Sequence, residues 1–209
     1  MTKPTRKRHL EPRKSPLQAR SSATVDAVLE AAARILERKG FEGYTTNAVA
    51  EVAGVSIGSL YQYFSNKDAL TVALIERESS LLLDDIARVD SQHGHRARLE
   101  HLIRSAVAHQ MRRPKLARLL DFEESRLPIR AQIARVGDKL HEALINTLND
   151  PAAHIAEDME TAAHDVQALV HGMVDAAGER GESDASSLEL RVRRAVFGYL
   201  GMRKPISHR

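Results

Sequence analysis

Apolar residues recur at intervals of three and four positions from Ser22 almost to the end of the chain. No segment alternates apolar and polar residues as a β-strand does, so this period predicts an all-α fold. Helix-stop signals at Gly40 and Gly54, and later prolines and glycines, divide the chain into helices. After a long fourth helix that begins near Asn66 and ends near residue 93, we expect helices at about 95–112, 114–125, 128–149, 157–178 and 185–202.

The chain has 209 residues, enough to bury a core in one or two domains, and it contains no cysteine. Disulfide bonds and thiolate chemistry are therefore excluded. No apolar run approaches the roughly 20 residues that a bilayer crossing needs, and the charged N-terminus lacks the apolar region of a signal peptide. We therefore expect a cytoplasmic protein with no membrane partner.

Basic residues are concentrated at the N-terminus. Within residues 1–20, Lys and Arg occupy seven positions, and Glu11 is the one acidic residue. Pro4, Pro12 and Pro16 oppose a stable helix there, so we interpret residues 1–20 as a basic, extended arm. Such an arm either attracts nucleic acid or is a solvated tail that binds nothing.

A helix-turn-helix is predicted between residues 45 and 64. Thr45 or Thr46 can cap a short second helix that Gly54 ends, and Ser56 can cap a third. The link between these two helices is about three residues long and contains a glycine, which is the connection that the motif requires. The first helix, which Gly40 ends, completes a three-helix domain.

The third helix has one apolar face and one polar face. Leu60 and Phe64 share the apolar face, whereas Gly58 and Gln62 point nearly the opposite way. Amide and hydroxyl groups beside a glycine suit the DNA major groove, where Gln can bond base edges. The alternative is a small amphipathic helix whose tyrosines cover the core.

Residues of about 22–70, and most clearly AAARILERKGFEGYTTNAVAEVAGVSIGSLYQYFSNKDAL, resemble the DNA-binding domain of the TetR/AcrR family of transcriptional repressors. The resemblance implies a homodimer that binds a palindromic double-stranded DNA operator and is released by a small-molecule effector, here unknown. Together with the basic arm at 1–20, it divides the chain into three parts, the other two being the helix-turn-helix domain at 21–67 and a larger helical effector-binding and dimerisation domain at 68–209.

The same resemblance assigns DNA contacts to individual positions. The phosphate contacts fall on Thr46, Ser59, Tyr61, Tyr63 and Lys67. The base-edge contacts come from some of Asn47, Ile57, Gly58 and Gln62. At the end of the arm, Arg20 is placed to lie along the DNA backbone or to enter a minor groove.

The last two helices of the family form a four-helix dimer interface, so we expect the apolar faces of 157–178 and 185–202 to serve as both core and dimer seam. The residues assigned to this seam are Val166, Val170, Met173, Val174, Val192, Val196 and Tyr199.

An effector pocket is expected between the fourth and eighth helices, and ordinary core is the alternative for every candidate. The candidates are Leu102, Val107, Leu119, Phe122, Ile133, Leu140, Leu144 and His171.

A polar stripe of His164, Gln167, His171 and Asp175 lies opposite the apolar face of the penultimate predicted helix. Imidazole and carboxylate groups can bind Zn²⁺, but His164 and His171 are two helical turns apart. We interpret the stripe as solvated or hydrogen-bonded, or as part of a pocket or interface. We therefore predict no metal site and no cofactor.

Two other functions compete with the ligand-responsive repressor. An all-α enzyme is disfavoured because the chain has no cysteine nucleophile, no Gly-rich phosphate loop and no HExxH motif. The carboxylates of Asp121, Glu123 and Glu124 are typical of a helix surface rather than of a paired acid and base. An effector-independent regulator or activator with the same DNA-binding domain stays open.

Overall fold

The computed structural model describes residues 19–153 and 158–202. These residues form nine α-helices, one short 3-10 turn at Val89–Ser91 and no strand, which confirms the all-α prediction. The helices are α1 (Ala19–Gly43), α2 (Thr46–Ala53), α3 (Ile57–Tyr63), α4 (Lys67–Ala87), α5 (Gly94–Arg112), α6 (Pro114–Arg126), α7 (Arg130–Leu148), α8 (Met159–Glu179) and α9 (Ala185–Tyr199).

The chain divides into two compact units. Among the described residues, the first unit contains those up to Glu78 together with Leu119–Ile129, and the second contains Ser79–Arg118 and those from Arg130 onward. The first unit thus includes α1, α2, α3 and parts of α4 and α6. The second includes α5, α7, α8 and α9 with the remaining parts of α4 and α6.

Local groups explain the kink in α1 and the first residues of α2 and α4. Gly40, the predicted end of the first helix, has non-helical dihedral angles inside α1 (φ 63°, ψ −160°). The Thr45 hydroxyl accepts a hydrogen bond from the Ala48 amide at 3.2 Å, and the Asn66 side-chain oxygen accepts one from the Ala69 amide at 2.8 Å. Each side chain satisfies a donor that the first turn of a helix leaves free.

Part of α6 belongs to the first unit. Leu120, Leu127 and Ile129 are buried there, and the rings of Phe41 and Phe122 lie 5.6 Å apart, centroid to centroid. The first unit therefore contains a segment that is distant in sequence from the helix-turn-helix.

The second unit has one large apolar core. α5 and α8 contact each other, and both also contact α7 and α9, so these four helices enclose most of the buried side chains. None of the described helices combines the length and the apolar character that a membrane crossing requires.

Candidate DNA-binding surface

Helix α3 presents a solvated face and a buried face. Leu60 is 0% exposed and Phe64, which follows the helix, is 1% exposed, so both anchor α3 to the first unit. Gly58, Tyr61 and Gln62 are exposed. This agrees with the orientation predicted from the helical period, and it leaves the amide of Gln62 free to meet a ligand.

A short turn holds α2 and α3 in place. Gly54 adopts the left-handed conformation (φ 68°, ψ 28°), which an L side chain rarely adopts, and the Val55 amide donates to the Ala50 carbonyl at 3.0 Å. The Ser56 hydroxyl then caps α3 by accepting from the Ser59 amide at 3.0 Å. The three-residue link therefore fixes the direction in which α3 leaves α2.

Hydroxyl groups join the first turn of α2 to α3. The Thr46 Oγ1 and Tyr61 OH oxygens lie 3.1 Å apart, within hydrogen-bond distance. Thr46 is partly buried, whereas 40% of Tyr61 is exposed, so the tyrosine hydroxyl is positioned while the ring remains accessible. Asn47, next to Thr46, is also exposed.

Lys67, the first residue of α4, lies over the ring of the buried Tyr44. The Lys67 ammonium lies 5.6 Å from the centre of the Tyr44 ring. The Tyr44 OH and Thr71 Oγ1 oxygens are 3.1 Å apart, and burial raises the pKa of Tyr44 well above its usual range. The sequence pattern does not single out Tyr44, because nothing local to it predicts a partner 27 positions away.

The remaining DNA-contact candidates differ in exposure. Ile57 is 38% exposed, Ser59 and Tyr63 are partly buried, and the side chain of Arg20 lies outside the described residues, as does the arm up to residue 18. Val52, a residue of α2 that the helical period places on an apolar face, is 55% exposed. It adds an apolar side chain to the accessible surface of the first unit.

The predicted effector residues do not form one site. Leu102, Leu140 and Leu144 line a cavity of about 10 Å³ in the second unit, together with Leu99, Ile103 and other residues of its core. A cavity of this volume holds about one water molecule.

The other effector candidates lie elsewhere. Val107 is buried in the core of the second unit, whereas Ile133 and His171 are exposed. Leu119 and Phe122 belong to the first unit, where Phe122 packs on Phe41 and is 60% exposed. Leu119 and Phe122 therefore belong to the unit that contains the helix-turn-helix. The cavity is lined by residues of the second unit.

Most of the residues predicted for the dimer seam are core residues. Val166, Val170, Val174, Val192 and Val196 are each at most 8% exposed. Their side chains already pack inside one chain, so they offer little surface to a second copy. Met173 and Tyr199 are partly buried against the same core.

Comparison with protein families identifies the chain. Residues 28–74 match the model of bacterial regulatory proteins of the tetR family, and residues 96–200 match the model of the tetracyclin repressor-like C-terminal domain. The chain belongs to the TetR family. The match to the first model includes α2, the turn and α3, whose geometry is that of a helix-turn-helix.

Three curated relatives show how far the sequence similarity extends. The nucleoid occlusion factor SlmA of Haemophilus influenzae is 32% identical over 116 residues, which are 53% of this chain and 52% of SlmA. The transcriptional repressor AcnR of Corynebacterium diphtheriae is 31% identical over 95 residues, 46% of each chain. A transcriptional regulator from Xanthobacter autotrophicus is 26% identical over 72% of each chain. The chain spans about half the length of SlmA and AcnR.

Solved structures share the fold over most of this chain. The fatty acid degradation regulator FadR of Bacillus halodurans superposes with a TM-score of 0.70 at 20% identity, over 85% of this chain and 99% of FadR. FadR of Bacillus subtilis in complex with stearoyl-CoA gives 0.70 at 17% identity, over 83% and 98%. A regulator from Haloarcula marismortui gives 0.73 at 19% identity, over 86% and 97%. With both family models matched, this chain is a TetR-family transcriptional regulator that contains a helix-turn-helix DNA-binding unit.

Proposed function

We propose that this TetR-family protein is a homodimeric repressor. Helix α3 of each protomer enters the major groove at one half of a palindromic operator, and a small-molecule effector releases the DNA. The observation that carries the proposal is the solvated face of α3, fixed from behind by Leu60 and Phe64. The repressor activity is supported by the relative AcnR, which is named a transcriptional repressor. Because the proposed target of this bacterial-type regulator is DNA, we place its action in the cytoplasm.

The proposed division of labour follows the three parts of the chain. Residues 1–20 attract DNA by charge, residues 21–67 read it, and residues 68–209 bind the effector and a second copy. Lys67 and the hydroxyls of Thr46, Ser59, Tyr61 and Tyr63 bind phosphates. Asn47, Ile57, Gly58 and Gln62 face the bases.

The chemistry of the cavity supports an apolar effector. Its lining is leucine, isoleucine, valine and alanine with one polar residue, Gln167, and contains no aromatic side chain. An aliphatic chain fits such a surface better than a flat aromatic compound does. The structure of Bacillus subtilis FadR with stearoyl-CoA is of a protein with the same fold, which favours an acyl compound. The cavity has to widen to admit it.

The small volume of the closed cavity also favours a second candidate function, an effector-independent regulator or activator. A series of fatty acids and acyl-CoA thioesters separates the two functions. A repressor with an effector should show a higher melting temperature with one member of the series and should release its operator. Neither change with any member would exclude an acyl effector and would favour the effector-independent regulator.

A dimer can form on the side of α8 and α9 that faces away from the core. Leu169 and Ala176 are partly buried there, and Gly172 and Gly198 are exposed, so small and apolar residues form part of this surface, next to the exposed Asp165 and Arg194. The Tyr199 hydroxyl donates to the Asp165 carboxylate at 2.6 Å, which links α9 to α8 beside this surface. We propose that this surface, rather than the buried valines, meets the second copy.

Replacement of Gln62 by alanine and of Tyr61 by phenylalanine should have different effects on DNA binding. Gln62 faces the bases, so its loss should remove the preference at one position of each half-site, at a cost of roughly 1–3 kcal/mol. The Tyr61 hydroxyl, oriented by Thr46 at 3.1 Å, binds phosphate, so its loss should weaken all sequences equally. Selection from random duplex DNA with both variants measures this, and it also reports the half-site spacing.

Val52→Ala, on the neighbouring α2, is a control that changes an exposed side chain outside the proposed reading face. It should leave the selected sequence unchanged. A changed base preference in Tyr61→Phe with an unchanged one in Gln62→Ala would show that α3 is oriented differently on DNA. If the wild-type protein selects no sequence, the repressor proposal fails.

Deletion of residues 1–19 should weaken specific and non-specific DNA binding together. Residues 21–67 contain four basic and five acidic residues, so the reading unit itself has little charge to attract DNA. The slope of log affinity against log salt concentration should fall by about 0.9 for each phosphate that the arm neutralises, with the preferred sequence unchanged. Titrations of both proteins over a range of salt concentrations test this. Equal slopes would show that the arm is a solvated tail.

A further inference from the structure

Two histidines and a glutamate of the second unit lie together where α7 and α8 pack against each other. His141 belongs to α7, and Glu160 and His164 belong to α8. One ligand atom from each of the three residues lies within 4.8 Å of the other two. Glu160 and His164 are four positions apart, so they share a face of α8, and His141 approaches that face from the neighbouring helix.

A backbone hydrogen bond orients the ring of His164. Its Nδ1 lies 2.8 Å from the Glu160 carbonyl oxygen. A carbonyl oxygen can only accept, so Nδ1 carries the proton, and in the neutral ring the lone pair is on Nε2. Histidines that bind metals usually donate their other ring N–H to a carbonyl or carboxylate in this way, because the bond fixes the tautomer and the ring direction.

One of the two ring nitrogens of His141 has a hydrogen-bond partner. Its Nε2 lies 2.8 Å from Oε2 of Glu160, whereas its Nδ1 is buried and has no hydrogen-bond partner among the described residues. The ring centroids of His141 and His164 are 4.2 Å apart. Nε2 is therefore the His141 nitrogen that meets the Glu160 carboxylate, and it is the ligand atom that this ring offers to the cluster.

We propose that His141, Glu160 and His164 bind a Zn²⁺ ion. Two imidazole nitrogens and a carboxylate oxygen are a donor set that Zn²⁺ prefers, and three protein ligands leave a fourth position for water or another ligand. The site belongs to the second unit and does not depend on the proposed repressor function. It joins the first turn of α8 to α7, so metal binding should raise the melting temperature.

The spacing of the three ligands is compatible with zinc. Bonds of 2.0–2.2 Å in a tetrahedral site place neighbouring ligand atoms about 3.4 Å apart. On zinc binding, the 2.8 Å distance between His141 Nε2 and Glu160 Oε2 must therefore increase slightly. Any two ligand atoms that lie near the 4.8 Å limit must move closer together. The Glu160 side chain is 68% exposed and His164 is exposed, so both can rotate without disturbing the core.

Titration of the full-length protein with ZnCl2, in competition with a chromophoric chelator, tests the site. The wild-type protein should bind one Zn²⁺ per chain at micromolar concentration. His164→Gln and Glu160→Gln should each weaken this affinity by at least about tenfold, because each removes one of three ligands. Both positions are exposed, so circular dichroism should show that the variants remain folded.

His171→Gln is the matched control, since the chain contains ten histidines and others could bind metal weakly. His171 is an exposed histidine of the same helix that pairs with Asp175 at 2.8 Å, outside the cluster. This variant should bind zinc as the wild type does. Absence of micromolar binding by the wild type, or equal loss of binding in His171→Gln and His164→Gln, would overturn the proposal.

Titration with Co²⁺ gives an independent readout, because ligand nitrogens change its visible absorption. The wild-type spectrum should show coordinated Co²⁺, and His141→Gln and His164→Gln should each lose the signal. If the Co²⁺ signal persists in both variants, the ion is bound by other residues and the proposed zinc site is contradicted.

Discussion

Replacement of Arg126 by methionine should lower the free energy of unfolding of the first unit by about 2–4 kcal/mol. The Arg126 Nε donates to the Glu123 carboxylate at 3.0 Å, and its Nη2 donates to Asp68 at 2.8 Å. These hydrogen bonds raise the pKa of Arg126 above its usual range. Glu123 is 6% exposed, so loss of the guanidinium leaves a buried carboxylate without that partner. Urea unfolding followed by circular dichroism measures the change.

Two further variants separate the buried charge from other effects of the substitution. Adding Glu123→Gln to the Arg126→Met variant should recover most of the lost stability, because the buried group then carries no charge. Arg38→Met removes an exposed arginine of the same unit and should change the stability by less than about 0.5 kcal/mol. Equal effects of Arg126→Met and Arg38→Met would contradict the expected role of Glu123.

The helix boundaries were predictable because the signals that set them are local. Gly40, Gly54 and Asn66 act on the residues next to them: α1 is kinked at Gly40, α2 ends before Gly54 and α4 begins after Asn66. Helix α1 nevertheless continues to Gly43, and α4 ends at Ala87 rather than near residue 93. The orientation of α3 was predictable for the same reason. Its seven residues are a short amphipathic helix, so the period alone separates Leu60 from Gln62.

The partners of an apolar face were not predictable from its period. Phe122 was assigned to an effector pocket, and the structure places it beside Phe41, 81 positions earlier, in the first unit. The apolar face of α8 was likewise assigned to both core and dimer seam, and its valines are core. A helical period identifies which residues are buried and not what covers them.

The cluster that we propose as a zinc site illustrates the same limit. The helical period groups His164 with His171 on one stripe of a single helix, and that spacing predicts no metal site. The structure pairs His171 with Asp175 and brings His141 of α7 to His164. No spacing in the sequence relates His141 to His164, since the packing of α7 on α8 brings them together.

Two glutamate substitutions on α8 should therefore give opposite results. Val170→Glu should unfold the second unit or destabilise it by about 3–5 kcal/mol, because Val170 is 8% exposed and lines a cavity of about 10 Å³, too small for a carboxylate and its water. Gly172→Glu should leave the fold intact. A Cβ added at Gly172 meets no atom within 4 Å, and replacement of glycine inside a helix favours the helix.

The Gly172→Glu protein should be a folded monomer. In a two-fold dimer built on the outer surface of α8 and α9, the substitution brings two carboxylates into one interface, where they lose water and repel each other. Light scattering at micromolar concentration measures the mass, and circular dichroism measures the fold of both variants. If the Gly172→Glu protein is folded and dimeric, the dimer interface lies on another surface. If the wild-type protein is a monomer, the proposal of a homodimer is wrong. A Val170→Glu protein as stable as the wild type would contradict the burial of Val170 itself.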